Sequence, residues 1–193
     1  MEIIFATHNP NKTKEIRNQL GGSFDVKSLS DIGFTEEIEE TEKTLEGNAL
    51  LKVRAIHKTT GKNCFADDTG LEVEALNGAP GVFSARYAGE ACNADDNMDK
   101  LLATLSGSEN RRARFRTVVA LILNDKEYTF EGICEGEILK ERTGKGGFGY
   151  DPIFQPKGYD RSFAQMTIDE KTKISHRGLA VKKLIDFLLV YSK

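Results

Sequence analysis

The chain has 193 residues, 27 of them basic and 30 acidic, with 39% hydrophobic residues and a net charge of -3. That length and composition are typical of a globular chain with its own core, and we expect a single domain over residues 1–193. The near balance of charge excludes a general nucleic-acid binder, which depends on clustered positive charge. It allows a small anionic ligand that is held by a few local cations.

The N-terminal segment and the cysteines both indicate the cytoplasm. Residues 1–5 are acidic and too short in apolar side chains for a signal peptide. No run of the sequence approaches the ~20 apolar residues that cross a bilayer. Cys64, Cys92 and Cys134 are an odd number without a paired spacing, so neither a disulfide framework nor a zinc site follows from them. We expect a cytoplasmic protein that binds neither membranes nor nucleic acids.

The first predicted elements are a strand and two helices. The apolar run at residues 3–6 is typical of a buried strand. Asn9 is expected to cap a helix that begins at Pro10, because proline lacks the N–H that would be unsatisfied there. Gly21 and Gly22 are expected to end that helix. A second helix is predicted over Thr44–Lys58. Its apolar face comprises Leu45, Ala49, Val53 and Ile56.

The middle of the chain predicts strands separated by turns. The segment Cys64-Phe65-Ala66 is typical of a strand that ends at Asp67-Asp68-Thr69-Gly70. Apolar residues then alternate with acidic ones from Leu71 to Ala75, as in a second, half-buried strand. Asn77-Gly78 predicts a turn.

The second half predicts a hairpin, a glycine-rich loop and a final helix. Phe115–Leu123 is rich in β-branched and apolar residues and predicts a central strand, with an antiparallel partner over Glu127–Ile133. A loop is expected over Gly144–Tyr150, and a last helix over His176–Tyr191. That helix is expected to bury Ala180, Leu184, Phe187, Leu188 and Tyr191. The mixture of strands and helices indicates an α/β domain, and the hairpin argues against a purely parallel sheet.

The segment Thr7–Lys12 lies between the first strand and the first helix. Unsatisfied backbone N–H groups and the positive end of the helix dipole favour an anion at such a position. Lys12 adds a cation, and Asn9 adds a directional amide. The segment lacks the Walker A pattern, and an ordinary helix cap is the alternative interpretation.

An acidic run, Glu36-Glu37-Ile38-Glu39-Glu40, precedes the second helix. Carboxylates suit Mg2+, which prefers oxygen ligands, although a solvated acidic loop has the same composition. Lys52 lies one turn beyond Asn48, at the edge of the apolar helix face. Its side chain either extends along the surface to solvent or points into a cleft.

Asp67 and Asp68 follow an apolar strand. Ligand sites in open α/β sheets lie at the carboxyl ends of strands. Two adjacent carboxylates are costly to bury without a cation or a raised pKa. The alternative is a turn that faces solvent.

Two further clusters lie in the last third of the chain. The loop Gly144–Pro152 contains four glycines, which let the backbone approach a ligand, and also two aromatic residues and an acid able to contact a base. A flexible hairpin loop is the alternative. Asp169-Glu170-Lys171 and Ser175-His176-Arg177 lie near the start of the last helix. Arg177 opposes the helix dipole there and is therefore a candidate ligand contact.

Five motifs of the chain, taken with the order in which they occur, resemble the motifs of the inosine triphosphate pyrophosphatase family. Within that family they most resemble the bacterial enzymes that act on dITP and XTP. The resemblance covers essentially the whole chain, from Ile3 to the final helix. The motifs are Thr7–Lys12, Phe65–Leu71, Gly78–Tyr87, Gly147–Pro152 and Lys171 with Ser175-His176-Arg177. The resemblance implies a three-layer α/β/α fold with a long twisted mixed sheet, and two lobes flanking a central nucleotide-binding cleft. It also implies a homodimer, Mg2+ as cofactor, and hydrolysis of ITP, dITP and XTP to the monophosphate and pyrophosphate.

The resemblance also assigns roles by position. Asp68 matches the catalytic acid-base residue and a metal contact, and Thr69 matches the neighbouring substrate contact. The metal-binding glutamate falls at Glu39 or Glu40. The remaining positions that match substrate-binding residues are Thr7, His8, Asn9, Pro10, Asn11, Lys12, Phe148, Gly149, Tyr150, Asp151, Lys171, His176 and Arg177.

The chain departs from the family pattern at three positions. Leu45 replaces an aromatic residue, and Gly47 replaces a glutamate in the family's T-F-x-E-N-A segment. Position 47 therefore offers no carboxylate to the metal shell. Thr69 stands where serine is commoner and keeps the hydroxyl.

The residue types fit hydrolysis of a phosphoanhydride. Lys12, Lys52 and Lys171 are expected to hold the phosphates, and Asp68 to orient or deprotonate water, without a covalent intermediate. Phe148 is expected to stack on the base. Two alternatives remain, namely a related phosphohydrolase of modified pyrimidine nucleotides and a non-catalytic nucleotide sensor. The retained Asp67-Asp68 pair and the lysines argue against the sensor, which needs no water-activating acid.

Overall fold

The computed structural model describes residues 1–20, 22 and 24–191, and it contains a mixed sheet flanked by helices. The strands within these residues are β1 Glu2–Phe5, β2 Asp25–Ser28, β3 Cys64–Val73, β4 Pro80–Gly81, β5 Arg112–Leu123, β6 Lys126–Ile138 and β7 Phe154–Pro156. The helices are α1 Pro10–Leu20, α2 Leu45–Thr60, α3 Ala94–Thr104, α4 Ile168–Ile174 and α5 His176–Tyr191. The strand order is β2-β1-β3-β5-β6-β7, with β4 paired to β3. β1 is parallel to β2 and β3, whereas β3–β4 and β6–β7 are antiparallel, so the predicted α/β class and mixed sheet are confirmed.

The chain folds as two compact units, and the first comprises Met1–Asp68, Thr117–Gly132 and Arg177–Lys193. Its core joins one face of the sheet to α1 and α5; the members from these elements include Ile3, Phe5, Phe65, Ile16, Leu20, Ala180 and Leu184. Successive residues of a strand point to opposite faces. Cys64 therefore faces away from that core, and its thiol contacts the Val53 carbonyl of α2 at 3.4 Å. Within this unit, α1 and α5 cover one face of the sheet and α2 covers the other.

The second unit comprises Thr69–Arg116 and Ile133–His176. Its core includes Leu71, Val73, Met98, Leu101, Phe115, Phe154 and Phe163. α3 supplies Met98 and Leu101, although neither α3 nor β2 is among the predicted elements. Asn93 begins α3 as its cap, because the side-chain oxygen accepts hydrogen bonds from the backbone N–H groups of Asp95 and Asp96.

Most predicted elements are confirmed close to their expected bounds. Asn9 caps α1, since its side-chain oxygen accepts from the N–H groups of Asn11 and Lys12 at 2.9 and 3.2 Å. The predicted end of α1 falls partly on Gly21, which lies outside the described residues. Thr44 caps α2, and the four apolar residues predicted for its inner face are all buried. The turn after β3 has Asn77 and Gly78 at φ of 52° and 87°.

Two predictions about elements are wrong. β3 does not end at Asp67 but continues through both carboxylates to Val73 as one strand. The strand continues because buried cations face each carboxylate, so neither needs a turn that reaches solvent. Tyr191 is not buried but 48% exposed, and its hydroxyl lies 2.8 Å from that of Tyr128. None of the helices in the described part of the chain is both long and apolar enough to cross a membrane.

Candidate active site

The centre of the candidate site is the pair of carboxylates in the middle of β3. Asp67 and Asp68 are 2% and 6% exposed. Because they are adjacent on a strand, their side chains point to opposite faces of the sheet. Asp67 faces the layer of α1 and α5, and Asp68 faces α2. The two carboxylates therefore lie in different electrostatic environments although they share a peptide bond.

Asp67 is held by two cations. The Lys12 ammonium lies 3.0 Å from its Oδ1, and the Arg177 Nε lies 3.0 Å from its Oδ2. Burial by itself raises the pKa of the Asp67 carboxyl, but the charges of Lys12 and Arg177 outweigh burial and hold that pKa well below its usual range. Arg177 also donates to Glu15 at 2.7 Å, and these acids raise its pKa against the effect of burial. Asp67 is thus an ionised anchor at neutral pH.

The segment Thr7–Lys12 places Lys12 at this anchor. Thr7 Oγ1 accepts from the N–H of Asn9 at 3.1 Å, and His8 Nε2 lies 3.0 Å from the Glu36 carbonyl oxygen. Pro10 and Asn11 are exposed in the first turn of α1. Burial lowers the pKa of Lys12 and outweighs the opposing charge of Asp67. The segment therefore presents a cation at a helix start, the position where the dipole also favours an anion.

Asp68 lies in a second set of contacts with α2. Its Oδ1 lies 3.2 Å from the Lys52 ammonium, and its Oδ2 accepts from the Asn48 amide at 3.3 Å. Burial raises the pKa of the Asp68 carboxyl, and the charge of Lys52 opposes this without cancelling it. The two neighbouring carboxylates of β3 consequently have pKa values shifted in opposite directions, a pattern typical of acid-base sites.

Lys52 points inward and not along the surface. Its ammonium bridges Asp68 and Glu40, whose Oε1 lies 2.7 Å away. Burial lowers the pKa of Lys52, but the negative charges of Asp68 and Glu40 outweigh burial, so the pKa is raised and the ammonium stays charged. Of the two alternatives drawn from the sequence, the inward orientation is the one present.

Two carboxylates that converge on one ammonium fit the donor set of a magnesium ion. Glu40 is half-buried and reaches Lys52, whereas Glu39 is exposed. The described residues contain no cluster of three or more metal-ligating side chains. Mg2+ usually takes one or two carboxylates and completes its shell with phosphate oxygens and water. Glu40 and Asp68 meet that requirement without a third protein ligand.

A separate cluster lies within the second unit, around Asp151. The Lys171 ammonium lies 2.6 Å from Asp151 Oδ2, which also accepts from the N–H of Phe148 at 2.8 Å. The same ammonium lies 4.7 Å from the ring centroid of Phe148 and 5.5 Å from that of Phe163. A side chain at Gly147 would overlap the Asp151 carboxylate, and Gly147 has φ of 71°. Glycine is therefore required for the loop to fold onto Asp151.

The other residues of this unit that are predicted to contact substrate differ in their burial and in their contacts. Tyr150 is buried and donates its hydroxyl to the Ser84 carbonyl at 2.8 Å, and burial raises its pKa. His176 is buried and stacks on Phe115 with the centroids 4.4 Å apart. Thr69 and Gly149 are half-buried. Tyr150 and His176 are thus packed within this unit, whereas Phe148 is half-buried.

The structure brings the predicted residues together as two groups. Lys12, Lys52, Asp68 and Arg177 belong to the first, and Phe148, Asp151 and Lys171 to the second. Sequence reasoning missed the contribution of Glu15, which pairs with Arg177. It lies three residues after Lys12 on α1, so helical spacing alone puts both side chains on one face.

Comparison with known proteins agrees with the motifs. The model of the Ham1 family matches residues 3–187. The chain is 56% identical to a dITP/XTP pyrophosphatase of Flavobacterium psychrophilum over 187 residues, which cover 97% of this chain and 98% of the relative. It is 57% identical to a dITP/XTP pyrophosphatase of Porphyromonas gingivalis over 189 residues, or 97% of each chain. The Ham1 protein structure of Staphylococcus aureus matches 99% of this chain and 100% of its own, with a TM-score of 0.89 and 40% identity.

Proposed function

The chain belongs to the Ham1 family, and we propose on that basis that it hydrolyses non-standard purine nucleoside triphosphates to the monophosphate and pyrophosphate. The substrates would be dITP, ITP and XTP, because the relatives at 56% and 57% identity are dITP/XTP pyrophosphatases. Such hydrolysis removes these nucleotides from the pool before they enter DNA or RNA. The observation that carries the proposal is the pair of buried carboxylates Asp67 and Asp68, which point to opposite faces of β3 and are each held by a cation.

Asp68 is the residue that we assign to the attacking water. A carboxyl group with a raised pKa is a better proton acceptor than an ordinary aspartate, and Asp68 is fixed by Asn48 and Lys52 on either side. Its carboxylate would orient the water and take its proton. Asp67 cannot share this role, since Lys12 and Arg177 keep it ionised and engaged.

Lys12 and Lys52 would neutralise the phosphates, with the start of α1 adding its dipole. Each lysine is held by a carboxylate, so it is positioned before substrate arrives. Mg2+, held by Glu40 and Asp68, would supply further charge neutralisation on the phosphate oxygens. Glu40 is preferred to Glu39 because its carboxylate already meets the lysine that contacts Asp68.

The base would be read by Phe148 and by backbone groups near Asp151. Hypoxanthine and xanthine carry an oxygen at C6, where adenine carries an amino group. A donor that faces this amino group is left unpaired, so a site built on hydrogen bonds rejects adenine strongly. Phe148, which is half-buried, would stack on the base. Lys171, which lies beside Asp151 and over Phe148, stays a candidate phosphate contact.

The proposal includes a homodimer in the cytoplasm. The relatives of this family support a role in the nucleotide pool, and a cytoplasmic enzyme is the form that such a role requires. Light scattering coupled to size-exclusion chromatography would measure the assembly. A mass near 21.4 kDa would identify a monomer, and twice that mass a dimer.

The experiment that tests the function is a substrate panel. Release of pyrophosphate and of orthophosphate would be measured separately from dITP, ITP, XTP, dATP, dGTP and dUTP, each with and without Mg2+. Rapid pyrophosphate release from the first three, dependent on Mg2+, is expected. Preference for dUTP would favour the pyrimidine alternative, and binding without release would favour the sensor.

Asp68→Asn tests the catalytic assignment in the same assay. The amide keeps the shape of the side chain but cannot accept the proton, so kcat should fall by about 100-fold or more. Asp125→Asn is the matched control, because that side chain is 90% exposed at the turn between β5 and β6. A kcat for Asp68→Asn close to that of the control would overturn the assignment.

A further inference from the structure

We infer that Asn48 is a positioning residue that fixes both the carboxylate of Asp68 and the acidic segment formed by residues 36–43. The inference rests on the proposed function of Asp68, and it adds a residue that does not itself touch the reacting atoms. Asn48 is fully buried, with 0% exposure, in the first turns of α2. A polar side chain in that position is costly unless each of its groups has a partner.

The two ends of the Asn48 amide contact two different parts of the site. Its Nδ2 donates to Asp68 Oδ2 at 3.3 Å, and its Oδ1 accepts from the backbone N–H of Glu42 at 2.9 Å. Asp68 Oδ1 is at the same time 3.2 Å from Lys52. The carboxylate is thus held through both oxygens, which fixes its rotation as well as its position.

The contact with Glu42 fixes the acidic segment. Glu40 lies only two residues before Glu42, and its carboxylate meets Lys52 at 2.7 Å. One buried amide therefore links the backbone that carries Glu40 to the carboxylate of Asp68. These are the two acids proposed to act on the same ion, and their separation is set in part by Asn48.

Gly47 makes this contact possible. A Cβ at position 47 would lie 2.8 Å from Glu42 Cβ and 3.0 Å from both Glu42 Cγ and Thr44 Oγ1. Distances this short require one side to move, and Glu42 Cβ is not the flexible end of its side chain. Glycine at position 47 lets Glu42 approach closely enough for its N–H to reach Asn48. The departure from the family pattern at this position is thereby given a physical role.

The test compares Asn48→Ala with a matched control, Asn97→Ala. Asn97 is also buried, at 3% exposure, and both ends of its amide are also engaged, since it donates to the Ala85 carbonyl and accepts from the N–H of Ala88. Asn97 and both of its partners belong to the second unit, whereas Asp68 belongs to the first. A loss of stability from removing a buried amide is common to both variants, whereas an effect on Asp68 is specific to Asn48→Ala.

Two readouts are needed. For Asn48→Ala, kcat with dITP should fall about 10- to 100-fold, as for other residues that orient a ligating or reacting group, while KM changes much less. Backbone hydrogen exchange of residues 36–43 should be faster in Asn48→Ala than in the wild type. Asn97→Ala should keep the wild-type kcat and the wild-type exchange of that segment.

Gly47→Ala provides a second variant that leaves Asn48 and Asp68 unchanged. Alanine favours the helix interior over glycine. Its Cβ would also lie 3.0 Å from Thr44 Oγ1, which caps α2, so the stability of this variant is measured beside its kcat. The added Cβ should nevertheless displace Glu42, accelerate exchange of residues 36–43 and lower kcat. This variant decides the question if Asn48→Ala fails to fold.

The inference is overturned if Asn48→Ala and Gly47→Ala both keep the wild-type kcat, or if Asn97→Ala loses kcat equally at the same loss of stability. Failure of the proposed function is a different result, namely a wild-type protein that releases no pyrophosphate from dITP. In that case the exchange of residues 36–43 still decides whether Asn48 holds the acidic segment.

Discussion

Replacing Asp67 by asparagine removes the charge that holds Lys12 and Arg177 while keeping the shape of the side chain. Both cations lie 3.0 Å from the carboxylate, whose side chain is 1% exposed. Breaking one side of a buried ion pair costs about 3–5 kcal/mol. Arg177 keeps Glu15 at 2.7 Å, and the Lys12 side chain is 17% exposed, so the loss should lie near the lower limit, about 3 kcal/mol. For a chain of this size the melting temperature should fall by about 6–12 °C.

Asp68→Asn, one residue later, should not destabilise the folded protein as Asp67→Asn does. Burial raises the pKa of Asp68, so its ionised form is unfavourable in the folded state. Asparagine removes that charge, and Lys52 keeps Glu40 as a partner. We therefore expect Asp68→Asn to be at least as stable as the wild type at pH 7, even though its kcat should fall. Catalytic groups that cost stability are a common feature of enzymes.

The pH dependence adds a second test of the Asp67 anchor. The folded pKa of Asp67 lies below its ordinary value of 3.8, so its stabilising contribution is complete above that pH and is lost as the pH falls below it. The difference in unfolding free energy between wild type and Asp67→Asn should therefore shrink on acidification from pH 7 to below 3.8.

Urea unfolding followed by circular dichroism would measure the free energy of unfolding of Asp67→Asn and Asp68→Asn at pH 7, and its pH dependence for Asp67→Asn. Asp125→Asn is the exposed control. An Asp67→Asn variant within about 1 kcal/mol of the wild type, as expected for an exposed pair, would refute the argument. Equal losses for Asp67→Asn and Asp68→Asn would have the same consequence, because the two carboxylates lie in different electrostatic environments.

Two further predictions concern the second unit. Phe148→Ala should raise KM for dITP about tenfold or more, since stacking on an aromatic ring contributes about 1–3 kcal/mol per base. Steady-state kinetics would measure KM, and an unchanged value would contradict stacking. Ser84→Ala should lower the free energy of unfolding by about 1–3 kcal/mol, because alanine leaves the buried Leu71 N–H without its acceptor. The Ser84 hydroxyl accepts from that N–H at 2.8 Å and donates to the part-buried Gly81 carbonyl at 2.6 Å. Urea unfolding checks this loss, and a change confined to kcat would point to a catalytic role for Ser84 instead.

Local signals in the sequence were sufficient for most elements. The helical spacing of the apolar residues of α2 and the Asn9–Pro10 start of α1 need only a few neighbouring residues to be recognised. The inward orientation of Lys52 was one of two interpretations, because a lysine at the edge of an apolar face is compatible with both. Its partners Glu40 and Asp68 are 12 and 16 residues away, and that proximity is a property of the folded chain.

The site was harder to predict where residues distant in sequence meet. Arg177 was a candidate ligand contact because it opposes the helix dipole, but Asp67 and Glu15 lie 110 and 162 residues before it and already engage its guanidinium. The polar run Asp67-Asp68-Thr69-Gly70 after an apolar segment predicts a strand end, and two adjacent carboxylates are costly to bury without a cation. The cations were present, but on helices whose packing on β3 cannot be inferred from local spacing.

The pleat of β3 makes the length of one short connection critical for function. β3 is registered on β1 with Cys64 beside Ile4 and Phe65 beside Phe5. If one residue were inserted or deleted between Gly61 and Asn63 and the strand slid along by one position, every side chain would exchange faces. After a deletion that draws the strand back by one position, Asp68 would take the place of Asp67 beside Lys12 and Arg177, and Thr69 would take the place of Asp68 beside Lys52. The position that faces α2 would then lose its carboxylate with no amino acid in β3 altered. Natural variation in the length of this connection should therefore be selected against, even though Gly61 and Lys62 are exposed.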